Sequence, residues 1–146
     1  MPRMTIAEIE QLMDTGFPSW RDFSKIVALG DNDITLEMPF RRDLLRAGGT
    51  ISGPALMALA DTAAYFLTLA HAGPVASAAT ANLDIAFLRR PQPAAIRAVA
   101  TMLRLGRRLS VARVDMLSGD DLVAHATVTY ALPPVERLPA DRARAL

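Results

Sequence analysis

One stretch limits the folds open to this chain more than any other. From Gly53 through His71 the residues run Gly-Pro-Ala-Leu-Met-Ala-Leu-Ala-Asp-Thr-Ala-Ala-Tyr-Phe-Leu-Thr-Leu-Ala-His, and Gly73-Pro74 follows. Proline is well tolerated at the first helical position, where its missing N–H has no partner to lose, and Gly-Pro ends a helix, so the spacing predicts one long helix. That helix is apolar almost all round, the pattern of a helix enclosed by other structure. The apolar run over 54–72 is long enough on paper for a membrane span, but it carries Asp61 near its middle and His71 near its end. A charge at bilayer depth is costly, so the reading is a buried core helix and no membrane.

The rest of the chain must supply what covers it. Thr5 and Glu8 form a capping box ahead of Ile6, Ile9, Leu12 and Met13, which predicts a short amphipathic helix over residues 5–15, a flap on the core. Ile34, Leu36, Met38 and Phe40 alternate with polar residues, and Gly30-Asp31-Asn32-Asp33 supplies a turn, so residues 25–40 read as a hairpin. Residues 41–52 read as a loop. Four further segments alternate with period two, at 78–88, 95–105, 109–117 and 121–132. Their connections are short, so neighbours in sequence are expected to pair antiparallel. The tail over 133–146, with three prolines, is expected to be loosely ordered. The result is one α+β domain over 1–146, an antiparallel sheet curled around one helix, with its core at about 25–132.

Composition narrows the function classes. The 146 residues are 51% apolar and 21% charged, which excludes intrinsic disorder. A net charge of +1 is too weak a field for a protein whose task is neutralising a phosphate polymer, so nucleic acid is not an expected partner. The absence of cysteine removes disulfides, thiol nucleophiles and thiolate metal sites. Two isolated histidines without a paired acidic ligand give no metal signature, and no secretion signal is read at the N-terminus, so the expected place is the cytoplasm.

Chemistry points to Asp61, a carboxylate set among Leu56, Leu59, Ala60 and Ala64. Buried Asp is rare unless paired or functional. On the residues alone it either bonds a neighbouring strand or meets solvent, or it serves as general base or nucleophile. Gly53, at the helix start, offers a backbone N–H at the positive end of the helix dipole, where a carbonyl oxygen gaining charge can bind; the same Gly is also an ordinary way to begin a helix. Because Pro54 has no N–H, Gly53 and Ala55 are the nearest donors. Gly53 and Asp61 are eight residues apart, about 12 Å along the axis at 1.5 Å per residue. One helix cannot bring both to one substrate carbon. If the pair acts together, the amide comes from one subunit and the acid from another, and the site requires a dimer.

The run Gly48-Gly49-Thr50-Ile51-Ser52-Gly53-Pro54-Ala55-Leu56-Met57-Ala58-Leu59-Ala60-Asp61-Thr62-Ala63, followed by Thr80-Ala81-Asn82-Leu83-Asp84-Ile85-Ala86-Phe87-Leu88-Arg89-Arg90-Pro91, resembles the hotdog-fold acyl-CoA thioesterases of the phenylacetic-acid-degradation (PaaI-like) group. The resemblance covers roughly residues 25–132. It implies a hotdog fold and hydrolysis of an acyl-CoA thioester without a cofactor. By position it makes Gly53 the amide that polarises the thioester carbonyl, Asp61 the base or nucleophile on the partner's helix, and Thr80 the strand hydroxyl that assists; Thr80 also reads as an ordinary strand threonine. It places Arg46, Ser52, Ala55, Thr62, Tyr65 and Asn82 against the substrate, with Arg89, Arg90, Arg107 and Arg108 as cations for the CoA phosphates. It implies a homodimer, or a tetramer built as a dimer of dimers. Tyr65, with Met57, Phe66 and Leu69, reads as either acyl-tunnel lining or core.

Two departures fall inside this site. The family usually has His-Gly-Gly at the helix start, where this chain has Ser52-Gly53-Pro54, and a loop Asn is replaced by Arg46, a residue placed to pair with Asp61, to hold an acidic substrate group or to meet solvent. They leave open a non-catalytic acyl-CoA binding or sensing protein on the same fold. A hotdog hydratase is a third reading; it would need a His near Asp61, which His125 would have to supply.

Overall fold

The computed structural model describes residues 1–134. The tail expected over 133–146 therefore lies, from residue 135 on, outside the described residues. Helix α1 (Ile6–Gly16) begins with the expected capping box, Thr5 Oγ1 accepting from the Glu8 N–H at 3.2 Å. A four-residue helix α2 (Trp20–Phe23), which the sequence pattern did not disclose, turns the chain into the hairpin of β1 (Lys25–Leu29) and β2 (Asp33–Met38). Residues 41–52 are a loop with one 3₁₀ turn at Arg42–Leu44 and a bridge between Leu45 and Ile51.

Helix α3 (Gly53–Ala72) follows. Ser52 Oγ accepts from the Ala55 N–H at 3.2 Å to cap its start. It closes on Gly73, whose φ of +98° is the left-handed region that favours glycine and lets its N–H reach Leu69 O. The helix is long and apolar enough to cross a membrane, but most of it is buried within the fold, where it serves as the core helix.

Strands β3 (Ala79–Phe87), β4 (Ile96–Leu105), β5 (Leu109–Ser118) and β6 (Asp121–Ala131) complete one antiparallel sheet in the order β1-β2-β4-β5-β6-β3. Every second residue faces α3, and many of these are small: Ala98, Ala100, Ala112, Ala124 and Ala126 are all buried. They meet Ala60, Ala63, Ala64 and Ala70 of the helix, so helix and sheet approach closely while Leu59, Phe66, Leu67 and Leu69 fill the gaps. The alanine-rich composition is the packing solution for a sheet curled on one helix.

Two expectations about neighbours fail. β3 and β4 are consecutive but do not pair; β3 crosses to the far edge and pairs with β6. The link between them is held at the other end of the sheet, where the Leu88 N–H donates to Val123 O and the Gln92 N–H to Ser118 Oγ. Alternation tells which face a residue takes, not which strand lies beside it. The helix is also not enclosed on all sides. Pro54, Met57 and Ala58 are exposed and Asp61, Thr62 and Tyr65 half-buried, one stripe at helical spacing left open opposite the sheet.

Candidate active site

Two strands bring the acid's partners to it. Thr80 and Tyr130 are cross-strand neighbours on β3 and β6, both directed at α3, and a register shift in β3 follows directly after Thr80. Their hydroxyls converge on one oxygen of Asp61: Thr80 Oγ1 donates to Oδ1 at 2.7 Å, and Tyr130 Oη donates to the same Oδ1 at 2.6 Å while lying 3.1 Å from the Asp61 main-chain oxygen. Among the described residues no donor reaches Oδ2. Two short bonds to an ionised group fix the carboxylate's plane and leave its second oxygen for chemistry. Asp61 is thus half-buried with a polar retinue rather than set wholly among Leu and Ala.

Tyr130 was missed by sequence reasoning. It lies 69 residues from Asp61. The signal was a polar-tipped aromatic at the inward end of Ala124, Ala126, Val128, Tyr130, where an O–H brought inside needs a partner. Its ring stacks on Tyr65 at 5.6 Å, and Tyr65 Oη donates to Ala76 O at 2.9 Å. Burial first, and the Asp61 carboxylate second, push the Tyr130 phenol well above its ordinary value; burial raises Tyr65 as well. Tyr130 therefore remains a protonated donor to Asp61 through neutral pH and above the ordinary phenol value.

A raised phenol favours the native state while the proton is on, so this contribution is full below the unfolded-state value of about 10 and is lost as pH rises beyond it. The chain has only two tyrosines, both shifted upward. In the folded protein at pH of about 10 the tyrosinate absorbance is thus expected to stay below one tyrosinate per chain and to rise with alkaline unfolding. A signal above one tyrosinate per chain at that pH in folded protein contradicts the buried Tyr130–Asp61 contact.

Asp61 opens on a cavity of about 710 Å³ lined by α1 and α2 on one side and by Ala58, Thr62, Tyr65, Phe66 and Tyr130 on the other. Gly53 opens on a different one. Its cavity, about 450 Å³, is lined by Arg46, Thr50, Leu56, Phe87, Arg89 and Arg90 among others. A Cβ on Gly53 would stand 3.3 Å from the Phe87 ring, so the close approach of strand to helix start uses the missing side chain. At the helix start Ser52 occupies the Ala55 N–H and Pro54 has none, which leaves the Gly53 N–H as the donor the cap does not use.

The predicted residues thus sort into two groups. Asp61, Thr62 and Tyr65 line the first cavity, with Thr80 bonded to Asp61 and Thr62 Oγ1 turned back to Ala58 O at 2.8 Å; Gly53, Arg46, Arg89 and Arg90 stand at the second, beside the Ser52 cap. Several assignments fail. Ala55 is buried with its N–H taken, so it is no second amide donor. Arg46 does not pair with Asp61 within the chain; its Nε donates to Ala47 O. Asn82 lies opposite Thr129 on the outer face of the sheet, because the register shift after Thr80 turns it away. Arg107 lines a third cavity, with Arg3 and His71 at the other end of α3, and Arg108 shares its turn, so neither joins Arg89 and Arg90. Met57 is exposed on the open stripe and Leu69 is core, leaving Tyr65 and Phe66 as the tunnel-type residues. His125 sits on the outer face with Nδ1 2.6 Å from Asp115 Oδ1, away from Asp61, which removes the support for a hydratase.

Comparison with known proteins agrees with this fold. Residues 48–125 match the family described as the thioesterase superfamily. A candidate esterase of Thermoplasma acidophilum is 26% identical over 103 residues, 70% of this chain and 77% of that protein. The crystal structure of a candidate thioesterase from Silicibacter sp. TM1040 superposes with a TM-score of 0.83 at 33% identity, covering 92% of this chain and 95% of that one. An N33D mutant of the phenylacetic acid degradation protein PaaI of Thermus thermophilus gives 0.70 at 27% identity over 79% of this chain and 97% of its own. With a family match over more than half of its length, carried on the fold these proteins share, the chain belongs to the thioesterase superfamily and is a PaaI-like, hotdog-fold hydrolase.

Proposed function

We propose that the protein hydrolyses acyl-CoA thioesters in sites built between two copies of the chain. One observation carries this reading: Asp61 with its two hydroxyl donors and the Gly53 amide open on separate cavities of the same chain. They lie eight residues apart, about 12 Å along the helix, beyond the reach of a single thioester carbon.

A second copy repairs this. Two antiparallel α3 helices related by a two-fold axis at Met57 set residues equally far before and after it side by side, and Gly53 and Asp61 are each four residues from Met57. Met57 is 40% exposed on the open stripe, where such an axis would pass. Among the described residues the β3 edge beside it has no strand neighbour, and its end leaves Phe87 and Leu88 each 52% exposed. An unpaired edge flanked by apolar side chains is a template for a second strand, and edge-to-edge pairing would continue the sheet while covering the stripe.

In that arrangement the thioester carbonyl oxygen accepts from the Gly53 N–H of one copy, with the α3 dipole behind it. Asp61 Oδ2 of the other copy takes a proton from the attacking water, or itself attacks the carbonyl carbon to give an acyl anhydride that water then opens. Either way the C–S bond breaks, CoA departs as a thiolate that solvent protonates, and the free acid is left. Thr80 and Tyr130 hold Oδ1 throughout. Arg46, Arg89 and Arg90, gathered at the Gly53 cavity, supply cations for the CoA phosphates; Arg107 and Arg108 are not part of this proposal.

Release of free thiol from acyl-CoA esters tests the reading, and a protein without cysteine adds no background. Steady turnover is the expected result. Failure to release thiol from aryl, short, medium and long acyl-CoAs alike overturns the acyl-CoA assignment.

A further inference from the structure

The cavity beside Asp61 has one wall that neither the sheet nor α3 builds. Leu12, Met13 and Phe17 from α1 and its end, with Trp20 and Phe23 from α2, close it on the side away from the open stripe. Trp20 is only 3% exposed and is held from three directions. Its indole N–H donates to Asp14 Oδ1 at 2.9 Å, its ring meets Phe66 edge to face at 5.4 Å, and the Arg21 guanidinium lies 4.9 Å over it. Arg21 in turn grips Asp14 through Nε at 2.7 Å and through a second nitrogen at 2.9 Å. Such a ring does not swing aside for a ligand.

The polar groups of this cavity are largely committed. Tyr65, Tyr130, Thr62 and the Trp20 N–H each donate to a partner within the protein, leaving Asp61 Oδ2 and the exposed Ser19 hydroxyl, and among the described residues no Lys or Arg lines the space. A tail placed there meets methyl, methylene and ring surface. A carboxylate on that tail would give up water and meet no cation, and a hydroxyl set against the Tyr65, Phe66 and Trp20 rings would give up water for apolar surface.

Resting on the reading of the site as an acyl-CoA hydrolase, we propose that the α1–α2 corner is its acyl ruler, that the substrate class is an unsubstituted hydrocarbon acyl chain, and that Trp20 sets the end of the chain with Asp14 as its positioning residue. The chain would run from the carbonyl at Asp61 along Tyr65 and Phe66 and stop against the indole. Each methylene that enters the cavity is expected to raise kcat/KM about fourfold, the equivalent of about 0.8 kcal/mol. Chains longer than the distance to Trp20 do not fit and lose kcat/KM.

The test is kcat/KM across straight-chain acyl-CoAs from butanoyl to hexadecanoyl, with ω-hydroxylated counterparts, for the native protein, Trp20→Leu, Asp14→Asn and Leu12→Ala. The native profile is expected to climb and then drop, and a terminal hydroxyl to cost about tenfold or more. Trp20→Leu should move the optimum outward by about two methylenes, and Asp14→Asn should blunt the cutoff while leaving the shortest ester unaffected. Because Trp20 is core, Leu12→Ala, at a half-buried wall position, carries the same test if the first variant does not fold; it should also move the optimum outward. A flat native profile, tolerance of the hydroxyl, or an optimum unmoved in folded variants overturns the ruler while leaving the hydrolase intact. No hydrolysis of any chain length overturns the underlying reading and the ruler with it.

Discussion

Asp61→Asn is expected to lower kcat by about 10² to 10⁴-fold, the range supplied by a positioned general base. The substitution keeps the shape of the side chain, and the Asn carbonyl oxygen can accept from Thr80 and Tyr130 as Asp61 Oδ1 does now. What changes is the other position: an NH₂ replaces Oδ2 and can neither take a proton nor attack a carbonyl. Rate and fold are thereby separated. A purely structural Asp61 would show itself as a fall in Tm with turnover per folded molecule kept, whereas the catalytic role requires the loss in kcat at near-native Tm. A loss below about tenfold contradicts the role.

Gly53→Pro is expected to cost about 10² to 10³-fold in kcat, the usual loss for one oxyanion donor. Proline removes the N–H, and its fixed φ suits the first helical turn. The preceding Ser52, at φ −71° and ψ 152°, already has the extended backbone that a residue before proline prefers. The cost in fit falls on Phe87, whose ring tip stands 3.3 Å from a new Cβ but whose side chain is half exposed and free to turn. A kcat within a factor of about ten of the native value would show that the carbonyl is polarised elsewhere.

The parts of this fold that depend on local chemistry were legible. The Thr5–Glu8 capping box, the Gly53-Pro54 start and Gly73 stop of the core helix, and the period-two strands all stand where short-range pattern put them. Strand neighbours were legible where a short turn joins them, as in β1–β2, β4–β5 and β5–β6, but the position of β3 beside β6 was not, because alternation assigns faces and that pairing is set by contacts far apart in sequence. The site divides along the same line. Asp61 announced itself as a carboxylate in an apolar helix, and helix arithmetic alone separated it from Gly53. Tyr130 did not, since its bond to Asp61 spans the last strand and the middle of the helix. Arg107 and Arg108 resembled Arg89 and Arg90 as pairs in turns, yet sheet topology places Arg107 at a different cavity from Arg89 and Arg90, with Arg108 beside it in the turn. The open stripe on the helix was hidden by composition: Met57 and Ala58 are as apolar as the residues packed on the sheet, and only the fold shows which of them lack a cover.

The central claim is that acid and amide of one site come from two copies, and mixing the two inactive variants tests it most directly. Asp61→Asn and Gly53→Pro proteins are unfolded together, refolded as an equal mixture, and assayed for thiol release against each refolded alone. In a mixed dimer the Asp61 of the second variant faces the intact Gly53 of the first, so one of its two sites is whole. With random pairing the mixture should recover about one quarter of native activity while each variant alone remains inactive. A mixture no more active than the sum of its parts, under conditions where the mixed dimer is seen to form, would contradict the shared site.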